Sequence, residues 1–383
     1  MLFNFLNKSR KIDLETANNK FFVNDFEGAI QEYEKVIEDD PSYTLAFDRL
    51  GDAHKELKRY DKAIEYYSRA IELEHHTKSF LDKRGHCFVE IGDYLNAILD
   101  YSESLEIDET DHFLVHKRAD LQFKVGHFHE AIADYSLVLN ITPDDYNIYD
   151  KIGNCYLELE KLDKAVEFFK MALDINPDDI YMYDKVGDAF FKMKKYQDAI
   201  DEYRNFLIKK PNTDYIYDKI GDAYIKLGFY KNAIENYNKA ISINSENSYL
   251  FDKLGDAYQK LNNYDNAIEN YLKAVELSPN SYYIYDKVGT SYVELEKYNQ
   301  AVIYFSKAIE LNSEDAFAFN KRANCYHKIG NFDGALLDYD MAIELGADDQ
   351  NIILNIKDCL IKLDEQLTIE QQERIAREKQ QNK

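Results

Sequence analysis

YDKVGDAFFKMKKYQDAIDEYRNFLIKKP, residues 183–211, carries Gly187, then Ala199 twelve places later, Tyr203 four beyond that, and Pro211 at its end. A constant step of 34 in either direction from Ala199 meets alanine each time, at Ala29, Ala63, Ala97, Ala131, Ala165, Ala233, Ala267, Ala301 and Ala335. No insertion or deletion interrupts the count from residue 10 to 349, which gives ten units starting at 10, 44, 78, 112, 146, 180, 214, 248, 282 and 316. Twelve residues before each alanine is Gly (51, 85, 153, 187, 221, 255, 289) or Ala (17, 119, 323). A fixed period of this length signals a stack of identical supersecondary units.

Each unit reads as two helices. Tyr or Phe follows the alanine by four residues, from Tyr33 to Tyr339, and a branched aliphatic follows it directly, from Ile30 to Leu336. Those spacings place a wide apolar stripe on one helix face. A glycine inside a helix costs roughly 0.5–1 kcal/mol relative to alanine. Seven of them therefore imply a close approach, expected where two antiparallel helices cross without bulky side chains. All five prolines (Pro41, Pro143, Pro177, Pro211, Pro279) share one place, where they stop the second helix. Gly92, Gly126, Gly228 and Gly330 share another, where a C′ glycine ends the first helix. No strand pattern is present.

The small residue, an aromatic three places on, the alanine, the next aromatic, a second small residue such as Ala70 or Ala172, and the proline together resemble the tetratricopeptide repeat. The resemblance covers 340 of 383 residues. It implies an all-α, right-handed α-solenoid of ten tandem 34-residue helix-turn-helix repeats, closed by a C-terminal capping helix. The family's usual Trp is replaced by Phe47, Tyr149, Tyr183, Tyr217, Phe251, Tyr285 and Phe319. The first unit departs furthest, with Asp13 at that place, and reads as an atypical N-terminal cap. Residues 1–9 form a lead-in whose aromatics are expected to pack on the first helix. Beyond 349, Ile353, Ile356, Cys359 and Leu360 continue the phase, so 350–364 reads as the capping helix. The tail 365–383 is charged and helical in pattern, and Thr368 with Gln371 resembles a capping box.

Composition narrows the function. The formal charge is 47 − 71 = −24, a field that repels nucleic acid and anionic lipid. A protein or peptide partner, basic in character, is expected, and neither nucleic acid nor membrane. No stretch approaches the ~18 apolar residues of a membrane span. The N-terminal Met-Leu-Phe-Asn-Phe-Leu is shorter than the ~7–15 residues of a secretory h-region. A cytoplasmic location follows. Cys87, Cys155, Cys325 and Cys359 contain no close pair, and the first three occupy a place held elsewhere by alanine, so they read as small buried packers.

Catalytic signatures are missing. The sequence has no glycine-rich phosphate loop, nucleophile elbow or H-E-x-x-H motif. His86 and His116 fall near Asp82 and Asp120 by phase, an arrangement open to a metal or to a solvated polar patch. The patch is the commoner outcome, and no cofactor, metal or catalytic residue is assigned. The chain is read as not an enzyme.

The resemblance further implies that the first helix of each unit lines a concave groove. The ligand-facing places lie six before the small residue, three before it and one after it. They hold Tyr181, Tyr215, Tyr249, Tyr283 and Phe317 in the later units; Asp48, Asp82, Asp150, Asp184, Asp218, Asp252 and Asp286; and Asp52, Asp120, Asp188, Asp222 and Asp256. An Asp pair at i, i+4 costs a few tenths of a kcal/mol. Adjacent lysines (Lys151, Lys185, Lys219, Lys253) and the helix N-terminus offset it in a plain solvated face, while an acidic groove shaped for a ligand accounts for it equally. Family members that grip chaperone C-terminal carboxylates use groove Lys and Asn. Here those places carry Asp, Lys is displaced by one residue, and only Asn154 and Asn324 match. The leading expectation is a non-catalytic scaffold binding a basic protein segment in this groove. Alternatives are a membrane-tethered assembly or trafficking factor anchored by residues 1–11, and a non-catalytic subunit of an enzyme complex. The sequence leaves the oligomeric state open.

Overall fold

The computed structural model describes residues 14–75, 77–347 and 350–381. The lead-in 1–9, and with it the anchor considered for residues 1–11, lies outside them. All regular structure among the described residues is helical. The chain divides into two compact units at Lys192 and Met193. Unit 1 holds α1 (14–22), α2 (Phe26–Asp39), α3 (Thr44–Glu56), α4 (Tyr60–Leu73), α5 (Lys78–Glu90), α6 (Tyr94–Ile107), α7 (His112–Lys124), α8 (Phe128–Leu139), α9 (Tyr146–Glu158), α10 (Leu162–Ile175) and α11 (Ile180–Lys192). Unit 2 holds α12 (Tyr196–Lys209), α13 (Asp214–Leu227), α14 (Tyr230–Ile243), α15 (Ser248–Lys260), α16 (Tyr264–Leu277), α17 (Tyr282–Glu294), α18 (Tyr298–Leu311), α19 (Ala316–Lys328), α20 (Phe332–Glu344) and α21 (Gln350–Gln381). Within each unit consecutive helices pack side by side, the arrangement of an α-solenoid.

Helix ends follow the punctuation. All five prolines fall in the connections after second helices. Asp25, Asp93, Asn263 and Asn331 cap second helices by accepting from the backbone N–H three residues on. Past each first helix one residue turns left-handed. It is Gly92, Gly126, Gly228 or Gly330 in four turns, and Asn24, Lys58, Glu160, Lys194, Asn262 or Glu296 in the other six. The turn is thus set by the period and not by glycine, and six side chains accept a strained φ.

The alanines of the second helices are fully buried, from Ala29 to Ala335. The glycines of the first helices serve a different contact from the one expected. Gly51, Gly85, Gly153, Gly221, Gly255 and Gly289 each face the aromatic ring of their own second helix, not a bare helix crossing. A Cβ added at Gly85, Gly153 or Gly289 would stand 2.6, 2.5 or 2.7 Å from a ring carbon of Tyr101, Phe169 or Phe305. The helices need the small residue so that a full ring can lie between them.

In three pairs a buried polar network supplements the rings. Arg84 donates to both Asp100 oxygens and to Ser68 of the preceding second helix. Arg118 repeats this with Asp134 and Ser102, and Arg322 with Asp338 and Ser306. The four cysteines are buried and unpaired with one another, and burial pushes the Cys87 and Cys155 thiols up to about 11 and about 12.

At the C-terminal end Ile352, not Ile353, takes the core place beside Cys359, while Ile353 and Leu360 are exposed. α21 runs unbroken to Gln381, having no Gly or Pro to stop it. The Thr368 hydroxyl donates to the Asp364 carbonyl one turn back, 2.9 Å, and caps no separate helix.

A left-handed non-glycine residue costs about 1–2 kcal/mol in backbone sterics, part of which glycine returns as unfolded-chain entropy. Glu160→Gly should therefore raise stability by about 0.5–1 kcal/mol, whereas Gly228→Ala, at φ +78°, should lower it by a similar amount. Urea midpoints of the two variants, moving in opposite directions, check this.

Candidate interaction groove

The aromatic row is exposed. In unit 2, Tyr215, Tyr249, Tyr283 and Phe317 leave 38, 53, 44 and 75% of their surfaces accessible, one ring per first helix. In unit 1 the same place holds Leu45, Phe113 and Tyr181, also exposed.

The aspartates are placed differently. Lys253 on α15 reaches back to α13 and donates to Asp218 at 2.8 Å and Asp222 at 2.6 Å. Lys287 on α17 does the same to Asp252 at 2.7 Å and Asp256 at 2.8 Å on α15. Lys321 on α19 takes Asp286 at 2.6 Å, with the Thr290 hydroxyl at 3.4 Å where the second aspartate would stand. Unit 1 contains Lys83 with Asp48 and Asp52, Lys151 with Asp120 and His116, and Lys185 with Asp150. The i, i+4 aspartate pair is thus a two-pronged seat for the next repeat's ammonium. Tyr181, Asp184 and Asp188 lie on α11 of unit 1, both carboxylates half-buried.

The aspartate after the small residue has a second partner. Tyr67, Tyr135, Tyr237 and Tyr271 donate their hydroxyls to Asp52, Asp120, Asp222 and Asp256 at 2.8, 2.6, 2.7 and 2.7 Å. Burial first, and the adjacent carboxylate next, raise these phenols far above their ordinary range. The same lysine also sits over that ring, Lys83 at 5.8 Å from the Tyr67 centroid and Lys287 at 5.6 Å from that of Tyr271. It touches the exposed row as well, Lys253 lying 4.5 Å from the Tyr249 centroid.

The complete clips at Lys83, Lys253 and Lys287 therefore join a ring and two carboxylates of one repeat to an ammonium of the next. Asp252 is 5% exposed, and burial pushes its carboxyl up against the pull of Lys287. Lys287 is itself held protonated more firmly than usual, its bonds to Asp252 and Asp256 outweighing its own burial. One clip is absent. At Lys117 the preceding repeat offers His86 instead of a second aspartate, Asp82 is taken by Ser104 and Lys78, and Lys117 lies over Phe113 at 4.4 Å.

Reading the lysines as neighbours that offset charge within one repeat missed this. The signal was present, since Lys recurs at the same place in each unit from Lys83 to Lys321. The arginine networks were equally visible, because Arg84, Arg118 and Arg322 occur only in the units carrying Asp100, Asp134 and Asp338. No group of three or more His, Cys, Asp or Glu among the described residues is arranged for a metal. The Lys151 ammonium donates to the His116 ring at 2.8 Å. No helix among the described residues is long and apolar enough to cross a membrane.

Tetratricopeptide repeat family models match residues 49–76, 151–179, 253–281 and 289–351, and a TPR repeat model matches 221–262. No curated protein matches the chain. Among solved structures, the C-terminal part of a TPR repeat-containing protein from Cytophaga hutchinsonii is 22% identical, with a TM-score of 0.57 over 63% of this chain and 99% of that one. MamA is 26% identical, TM-score 0.42, over 45% and 93% of the two chains. YrrB, described as a TPR protein with an unusual peptide-binding site, is 25% identical, TM-score 0.44, over 50% and 99%. With ring-packed helix pairs repeating at one constant interval, the chain belongs to the tetratricopeptide-repeat proteins.

Three histidines of unit 1 give it a pH dependence. Burial, before any charge effect, lowers His54, His86 and His116 below the usual imidazole value. His54 stacks on Tyr66 with neither ring nitrogen hydrogen-bonded, beside Arg59, Lys62, Glu27 and Glu65. Because the folded value is depressed, the unfolded chain takes up the proton first, and stability is lost as pH falls through about 6.5. His54→Phe, which supplies the aromatic found at this place from Phe88 to Tyr326 in all but the Gln122 unit, should lose less stability than the parent between about pH 7.5 and 5.5. Equal losses in urea titrations would remove His54 from the account.

Proposed function

We propose that this chain is a non-catalytic interaction scaffold that holds an extended protein segment against the aromatic row of unit 2. The observation that carries the reading is the row itself. Tyr215, Tyr249, Tyr283 and Phe317 present one exposed ring per repeat, and Lys219, Lys253 and Lys287 lie against the first three. Amphipathic rings at low entropy cost suit the stems and apolar side chains of a bound segment.

The aspartates contribute through charge more than through direct grip. Each complete clip combines two aspartates with one lysine and keeps a net charge of −1. With the chain's −24, this favours encounter with a basic segment and makes the on-rate fall with salt. Asp218, Asp222, Asp252, Asp256 and Asp286 flank the segment, and within unit 1 Tyr181, Asp184 and Asp188 on α11 offer the same chemistry.

Selection of random peptides on the intact chain tests the proposal. Enriched peptides should place an apolar residue beside Lys or Arg. The combined Tyr215→Ala, Tyr249→Ala and Tyr283→Ala variant should bind them at least roughly tenfold more weakly, about 1.4 kcal/mol, with helicity unchanged. Undiminished binding by that variant, or selected peptides without positive charge, would contradict it.

A further inference from the structure

α21 begins at Gln350, one full repeat after the Ala316 start of α19, where an eleventh first helix would begin. Ile352 and Cys359 are buried in the core of the α19–α20 pair, at the places that Ala318 and Cys325 hold one repeat earlier. One face of such a helix normally packs on its own second helix. In the α9–α10 pair, Tyr149 and Tyr156 meet Phe168 at 6.2 and 5.3 Å between centroids. The corresponding residues of α21 are Ile353 and Leu360, and among the described residues no second helix covers them. Ile353, Leu354, Leu360, Ile361 and Leu367 stay 52–61% exposed along one side.

The stripe has a regular order. Ile353, Leu360 and Leu367 recur every seven residues, Leu354, Ile361 and Thr368 stand beside them, and Lys357 and Asp364 lie between. A seven-residue recurrence is the seam of paired helices. It is also self-complementary about the point between Leu360 and Ile361. Reversal there exchanges Leu360 with Ile361, Lys357 with Asp364, Leu354 with Leu367 and Ile353 with Thr368.

We propose that this face binds a second copy of the chain, the two α21 helices packing antiparallel about a two-fold axis between Leu360 and Ile361. Lys357 then meets the partner's Asp364, and Asp364 meets the partner's Lys357. Leu354 packs on the partner's Leu367. A two-fold contact requires a patch complementary to itself, which this stripe is. Parallel pairing would set Lys357 against its own copy and Asp364 likewise, so the charges select the antiparallel register. In the dimer the second copy's α21 covers the exposed face of the first.

Sedimentation equilibrium of the full chain up to about 100 μM, where associations of micromolar strength are visible, reads the dimer directly. Lys357→Asp or Asp364→Lys alone places like charges together twice and should weaken the dimer at least tenfold. The two combined should restore it, and Leu360→Glu should give monomer, all with unchanged helicity. A chain that stays monomeric throughout this range overturns the proposal. So does a dimer indifferent to the single changes, or one that the combined change fails to restore.

Discussion

An ammonium group seated between two carboxylates and over an aromatic ring joins one repeat to the next at Lys83, Lys253 and Lys287. Lys287, Asp252, Asp256 and Tyr271 show the whole device. The ring is buried only because Gly255 leaves room for it. Its hydroxyl reaches Asp256 only because the ring lies flat between the helices. The lysine arrives because the next first helix stacks in register. Helix pairing, repeat stacking and groove chemistry thus meet in four side chains.

The device also explains why two aspartates can stand one turn apart on a half-buried face. Like charges at that spacing repel by a few tenths of a kcal/mol, and burial of Asp48, Asp218 and Asp252 opposes their ionisation. The shared lysine and the phenol answer both costs. Asp286 shows the reduced form, where Phe305 has no hydroxyl and Thr290 no carboxylate, and Lys321 keeps one anchor. In the proposed function the clipped carboxylates set the field and the exposed rings make the surface.

What was legible in the sequence was whatever repeats at fixed phase with a local cause. The alanines, the prolines, the four turn glycines and the aromatic row each declare a place within one unit. The roles of the aspartates were not legible from their own unit, because their lysine partners lie on the next repeat, 31 and 35 residues further on. The glycines misled for a similar reason, since the ring that needs their space is sixteen residues away on the other helix. Ile353 was read one place out because, among the described residues, no second helix covers that face of α21.

The claim that the clip holds neighbouring repeats together is tested most directly by a double-mutant cycle on Lys287→Met and Asp252→Asn, followed by urea unfolding of the full chain. Both side chains face each other across the repeat boundary at 2.7 Å. The account predicts a coupling energy of about 1 kcal/mol or more, with the double variant more stable than the sum of single losses allows. Losses that add within about 0.3–0.5 kcal/mol would show the pair to be an idle surface contact and contradict it.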